Sequence, residues 1–295
     1  MNYLEQLFPN LAHFSGYAPG VDASTTLDDL QAAANSAFKR IKGVLTEAVF
    51  NLVMESEDEL LKTPLRLAVA NMTLHAQLVF DAVNRRKNDV DVYKYELEGM
   101  KRSYMENYYN AVDTLITAIA SYSADDDDTG KAAIATAWAG SRYGRLLGNC
   151  PVKSADDFDT IYNIDGSQLF FFRTLAIQKE IYDARLGSYF EKVSGNDRVT
   201  DMLRLVLCKK VVATALRRFD ILECPATVRN LFDDSTVTGL RKDEREQATA
   251  LANLLDGEAD SLLDTIDTPL TADEGVDVSS WSGYNKPDDV IVMMP

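Results

Sequence analysis

The stretch that decides the fold runs from Tyr93 to Ile119, YKYELEGMKRSYMENYYNAVDTLITAI. Along it Tyr93, Leu97, Met100, Tyr104, Tyr108, Val112, Leu115 and Ile119 recur every three or four residues. That spacing puts side chains on one face of an α-helix. An aromatic stripe at helical spacing reads as core rather than as a ligand box. Upstream, Leu65 to Val83 is apolar on most sides and predicts a central helix beginning near Pro64, a residue suited to a first turn. Ahead of it, Leu30, Ala34, Ala37, Ile41, Val44, Leu45 and Ala48 predict a helix reaching about Met54. Ser24 or Thr25 is its expected cap, with Asp28 and Asp29 near the positive end of the dipole. Residues 1–26, which carry Pro9, Gly16, Pro19 and Gly20, are expected to be irregular.

Downstream, Asp125 to Asp128 repel one another and predict a solvated loop, followed by a short helix from Lys131 to Leu147. Gly148, Pro151 and the acidic stretch at Asp156-Asp157 mark a connecting region. From Ser167, the positions Leu169, Phe172, Leu175, Ile177, Ile181, Leu186 and Phe190 predict one long helix, closed by a turn at Gly195-Asn196-Asp197. Met202 to Phe219 is again strongly apolar, with Arg204, Lys209, Lys210, Arg217 and Arg218 on its wet side. A last helix, Lys242 to Ile266, buries Ala248, Leu251, Leu255, Ala259, Leu262 and Ile266.

The two helical regions echo each other. Leu65-Arg66-Leu67 and Phe80-Asp81 match Leu203-Arg204-Leu205 and Phe219-Asp220. Asp113-Thr114-Leu115-Ile116-Thr117-Ala118-Ile119 matches Asp260-Ser261-Leu262-Leu263-Asp264-Thr265-Ile266. The expected fold is therefore mostly α: two similar antiparallel helical bundles related by internal duplication, an irregular N-terminal segment and an extended C-terminal tail. The boundaries fall at 1–124 for the first bundle, 125–166 for the connecting region, 167–268 for the second bundle and 269–295 for the tail.

In the tail, Leu270 to Gly283 is small and acidic, and Trp281 and Tyr284 are isolated aromatics. Val290-Ile291-Val292-Met293-Met294 is an apolar run of strong β-propensity, too short for a helix and far from any predicted strand. Such a run at a terminus invites aggregation unless it is covered. Two placements are open: docking on another subunit, with Trp281, Tyr284 and Val290 to Met294 as the docking residues, or packing back on its own bundle. The first is the expectation.

The chain has a net charge of -16, which argues against a surface that coats nucleic acid or anionic membrane, though an acidic wall lets DNA slide past. No apolar run is long enough for a membrane helix, and Met1-Asn2-Tyr3-Leu4-Glu5 lacks a signal peptide's basic start, so the chain is expected to stay in the cytoplasm. Cys150, Cys208 and Cys224 have no framework or metal spacing and fit a reducing compartment, with Cys208 acting as a small hydrophobe.

Catalytic signatures are sparse. His13 and His75 lack the Glu three residues earlier that bundle metal sites use, those positions being Asn10 and Met72. Gly130-Lys131 resembles the end of a phosphate loop, but Asp125 stands where its first glycine belongs and Ala132 where Ser or Thr belongs. Asp125, Asp127, Thr129 and Gly130 imitate the start of a calcium loop whose twelfth position is Thr136, not Glu. No catalytic residue, metal ligand or cofactor is assigned, and the chain is read as not an enzyme. The basic side chains between Met202 and Phe219 read as partners for neighbouring acids rather than as a phosphate site.

Four segments carry a resemblance: Leu27-Asp28-Asp29-Leu30; Phe158-Asp159-Thr160-Ile161-Tyr162-Asn163-Ile164-Asp165-Gly166-Ser167; Phe172-Arg173-Thr174-Leu175; and Asn285-Lys286-Pro287-Asp288-Asp289-Val290-Ile291-Val292. In these the chain resembles a family of head-tail connector (head-completion, or adaptor) proteins of tailed phages and prophages of Bacteroidetes. The resemblance implies a ring of copies beneath the portal, with the portal, other neck or tail proteins and further copies of itself as partners. It implies DNA passing through the lumen without specific binding, no membrane, and a place in the neck of the virion after assembly in the host cytoplasm. It carries no catalytic residue. The alternatives are a helical-bundle enzyme or metal- or ligand-binding protein, and an adaptor for host proteins.

Overall fold

The computed structural model describes residues 3–21, 25–87, 94–193, 196–229 and 241–273. These residues are mostly helical, with no strand among them. The chain opens with α1 (Tyr3–Leu7) and α2 (Leu11–Ser15), then α3 (Leu27–Leu45), α4 (Glu47–Glu55), α5 (Glu59–Lys87) and α6 (Lys94–Ala120). The middle holds α7 (Thr129–Ala139), α8 (Arg142–Leu147) and α9 (Ala155–Ile161). After it come α10 (Gln168–Ile181), a π-helical turn Tyr182–Leu186, α11 (Gly187–Lys192), α12 (Asp197–Arg218), a 3-10 turn Ile221–Glu223, α13 (Ala226–Arg229) and α14 (Arg241–Asp273).

The helix starts follow side-chain chemistry. α3 is capped by Thr26, not by Ser24 or Thr25: its hydroxyl accepts from the Asp29 N–H while the Asp29 carboxylate accepts from the Thr26 N–H, a reciprocal capping box. α5 starts five residues before Pro64, at Glu59. Asp58 sets that start, its carboxylate accepting from the Leu60 N–H at 2.9 Å and from the Tyr122 hydroxyl at 2.8 Å. Asn196 caps α12 and Asp128 caps α7.

Several expectations are corrected. The N-terminal segment is not irregular: α1 and α2 bring Leu4, Leu7, Phe8 and Phe14 wholly into the core, with Phe8 and Phe14 edge to face at 4.9 Å. The helix expected to reach Met54 is broken at Thr46, whose φ of 77° lies in the left-handed half of the map, so Ala48 is exposed and α4 sets off toward α7. The helix expected over Lys131–Leu147 is two, separated at Gly140-Ser141. The region read as a connector contributes Ile134, Trp138, Tyr143, Phe158 and Ile164 to the core. α14 runs to Asp273, four residues past the proline at 269 where helix signals were expected to stop.

α5 pairs most closely with α6, and α12 with α14. Asp58 meets Tyr122 while, further along α5, the His75 ring faces the Lys101 carbonyl at 3.1 Å, so α5 and α6 run in opposite directions. Lys210 reaches Asp260 whereas Arg217 reaches Asn253, so α12 and α14 do the same. α10 lies between the pairs, against both α6 and α12. One continuous core runs from Leu4 to Ala259, and a smaller cluster of Val193, Leu203 and Ile266 closes the far end of α12.

Candidate functional site

The segment Phe158–Ser167 forms a clasp at the middle of the fold. Phe158 and Ile164 are fully buried and anchor it. The Asp159 carboxylate accepts from the N–H groups of Ile164, at 2.7 Å, and Gly166, at 2.9 Å, closing the loop. Asp165, with φ 56°, and Gly166, with φ 60°, turn the chain back, a left-handed pair suited to aspartate and glycine. Asp165 then accepts from the Thr227 N–H at 2.9 Å, holding the start of α13. Ser167 caps α10, and Asp113 of α6 accepts from the Ser167 hydroxyl at 2.8 Å and the Leu169 N–H at 2.7 Å. Burial raises the Asp113 carboxyl above the usual range despite these donors. Asp159, Asn163, Asp165 and Ser167 each accept from a backbone N–H, so these clasp side chains complete backbone.

A cleft of about 440 Å³ lies beside the clasp, where α3, α6, α10 and the 3-10 turn Ile221–Glu223 converge. Its apolar wall includes Val44, Val112 and Leu169, and its charged wall carries Lys39, Arg40 and Arg173 against the single carboxylate of Glu223. Arg173 is committed: its Nε donates to Glu223 and its guanidinium lies 5.3 Å from the centre of the Phe219 ring. Arg40 has no carboxylate partner among the described residues. It donates to the Tyr109 hydroxyl at 2.6 Å and sits 5.3 Å and 5.5 Å from the centres of the Tyr108 and Tyr109 rings. The Tyr108 hydroxyl is buried in the same corner with no hydrogen-bond partner of good geometry. Burial pushes this phenol up to about 12, and Tyr109 is raised for the same reason, so both stay neutral donors. Lys39 is exposed and also makes no ion pair among the described residues. In a chain of net charge -16, a cleft with two cations that have no acidic partner among the described residues suits an anionic group.

Sequence reasoning missed this cleft. Tyr108 was expected in the core and is there, 1% exposed, but its hydroxyl lines the cleft. The only local signal was Lys39-Arg40 lying beside the apolar stripe of α3. Nothing in the sequence links them to Tyr108-Tyr109 or to Arg173.

The expected docking residues Trp281, Tyr284, Val290, Ile291, Val292, Met293 and Met294 lie outside the described residues. Four of the basic side chains expected to pair with acids of a neighbouring helix do so, Lys209 with Glu258, Lys210 with Asp260, Arg217 with Asp256 and Arg218 with Glu180, whereas Arg204 pairs with Asp201 of its own helix. His75 is hydrogen-bonded and its basicity is lowered by burial. The three cysteines are buried, and burial pushes Cys150 up to about 11, Cys224 up to about 12 and Cys208 upward as well, so none is a ready thiolate. Among the described residues no cluster of three or more His, Cys, Asp or Glu is placed to hold a metal ion, and no helix is long and apolar enough to cross a membrane.

The class that fold and cleft define is a mostly helical protein with a cationic cleft in an acidic chain. No protein family, no curated protein and no solved structure matches the chain.

Proposed function

We propose that this chain is a structural head-tail connector of a tailed phage, built from two related helical bundles, that assembles as a ring under the portal and lets DNA through. The observation that carries the reading is the clasp. One of the segments that resemble the connector family, Phe158–Ser167, is the one that ties α6, α9, α10 and α13 together, with Asp159 and Asp165 accepting from backbone. The order of packing supports the duplication: α3, α5 and α6 in the first half correspond to α10, α12 and α14 in the second, and in each half the last two pair most closely. The charge of -16 suits a lumen that must not hold DNA.

Light scattering of the purified chain, alone and mixed with the portal protein from the same phage, tests this. The expected result is a portal-dependent rise to the mass of a closed ring. A chain that keeps its own mass beside the portal counts against the connector reading.

A further inference from the structure

We infer that the cleft between α3, α6 and α10 receives the C-terminal segment Asp288-Asp289-Val290-Ile291-Val292 of a second copy of this chain. The inference deepens the connector reading and rests on it, since it supplies the contact between neighbours in the ring.

The argument is complementarity. The cleft sets Lys39 and Arg40, which have no acidic partner among the described residues, beside an apolar wall that includes Val44, Val112 and Leu169. The buried Tyr108 hydroxyl in the same corner has a proton to donate and no acceptor. A fitting occupant therefore carries carboxylates next to branched apolar side chains. Asp288-Asp289 followed by Val290-Ile291-Val292 has that composition in that order. The carboxylates would accept from Arg40, Lys39 and Tyr108, and the apolar residues would cover the opposite wall. In a chain of net charge -16, which repels an acidic segment overall, a cationic cleft is a favourable place for such a segment. The volume, about 440 Å³, lies within the range of sites that enclose a few side chains. Asp288 lies fifteen positions beyond Asp273, and at roughly 3.5 Å per extended residue the chain between them spans up to ~50 Å, enough to reach a neighbour.

The test uses the full chain and a fluorescein-labelled peptide of residues 285–295. The peptide is expected to bind, more weakly as salt rises, and about tenfold more weakly to Lys39→Glu and to Arg40→Gln. Lys39 is exposed, so its variant should melt with the parent, which keeps the result interpretable if Arg40→Gln unfolds. A peptide carrying Asp288→Lys and Asp289→Lys should not bind. Sedimentation equilibrium of the full chain should show concentration-dependent self-association, lost when Asp288→Lys and Asp289→Lys are made in the chain and restored by mixing that variant with Lys39→Glu. Peptide binding that ignores Lys39→Glu and salt overturns the assignment. So does a full chain that stays monomeric at concentrations where the peptide binds, which would put the segment in its own chain's cleft. If the chain joins the portal while the peptide fails to bind, only the cleft assignment falls; if the peptide binds while the portal is ignored, only the connector reading falls.

Discussion

Single side chains decide how the middle of this molecule closes. Asp113 is buried on α6 and completes the first turn of α10 through Ser167 and Leu169. Asp113→Ala should destabilise the fold by about 1–3 kcal/mol, because the Leu169 N–H would be left buried without an acceptor. Asp113→Asn keeps an acceptor and removes the charge, so it should cost far less. The pH dependence has a definite sign. Burial, the largest influence on Asp113, raises its carboxyl, so the fold favours the protonated form. This group's contribution is therefore full below the ordinary carboxylate range and is lost as pH rises through its raised value. Urea melts from pH 3 upward should show Asp113→Asn gaining on the parent with rising pH; parallel curves would contradict the assignment. None of this was legible in the sequence, where Asp113 was only the first residue of a repeated phrase. The partner that raises its importance lies more than fifty positions away, at Ser167.

At the scale of elements, the sequence reading located most helices and misjudged where they break. Apolar spacing survives the joint between α3 and α4: Leu45 and Val49 are four apart and both buried, so periodicity could not reveal the turn at Thr46. A β-branched residue at φ 77° and ψ 155° is strained, since that region belongs to glycine. Thr46→Gly should raise stability by about 1 kcal/mol in chemical denaturation, and a loss would mean the Thr46 side chain holds the joint. The second break was visible in hindsight. Ile181 and Leu186 are five residues apart, one more than an α-helical stripe allows, and the π-helical turn Tyr182–Leu186 absorbs the extra residue. The α12–α14 pair offers a further test. Lys210 is 3% exposed, with its ammonium 2.7 Å from Asp260 and 3.9 Å from Asp256. Asp260→Ala should cost about 1–3 kcal/mol by leaving the buried cation poorly paired, whereas Lys210→Met should cost under ~1 kcal/mol because charge and desolvation penalty go together. Equal losses in thermal melts would show that packing, not the ion pair, sets the stability there.

For the whole molecule, composition and periodicity were enough to read a mostly helical chain, because amphipathic stripes are local. The single core from Leu4 to Ala259 was not readable, since it depends on α1, α2 and the middle helices folding over α3, α6 and α10. The cleft escaped for the same reason: its cations and tyrosines come from segments far apart in sequence. What unites the scales is a helical framework tied by carboxylates such as Asp113 and Asp159, with a cationic cleft beside the clasp they form. Electron microscopy of the full chain mixed with the portal protein tests the connector reading most directly. The account predicts closed rings of the chain stacked coaxially on the portal, whereas portals left bare beside free single copies would contradict it.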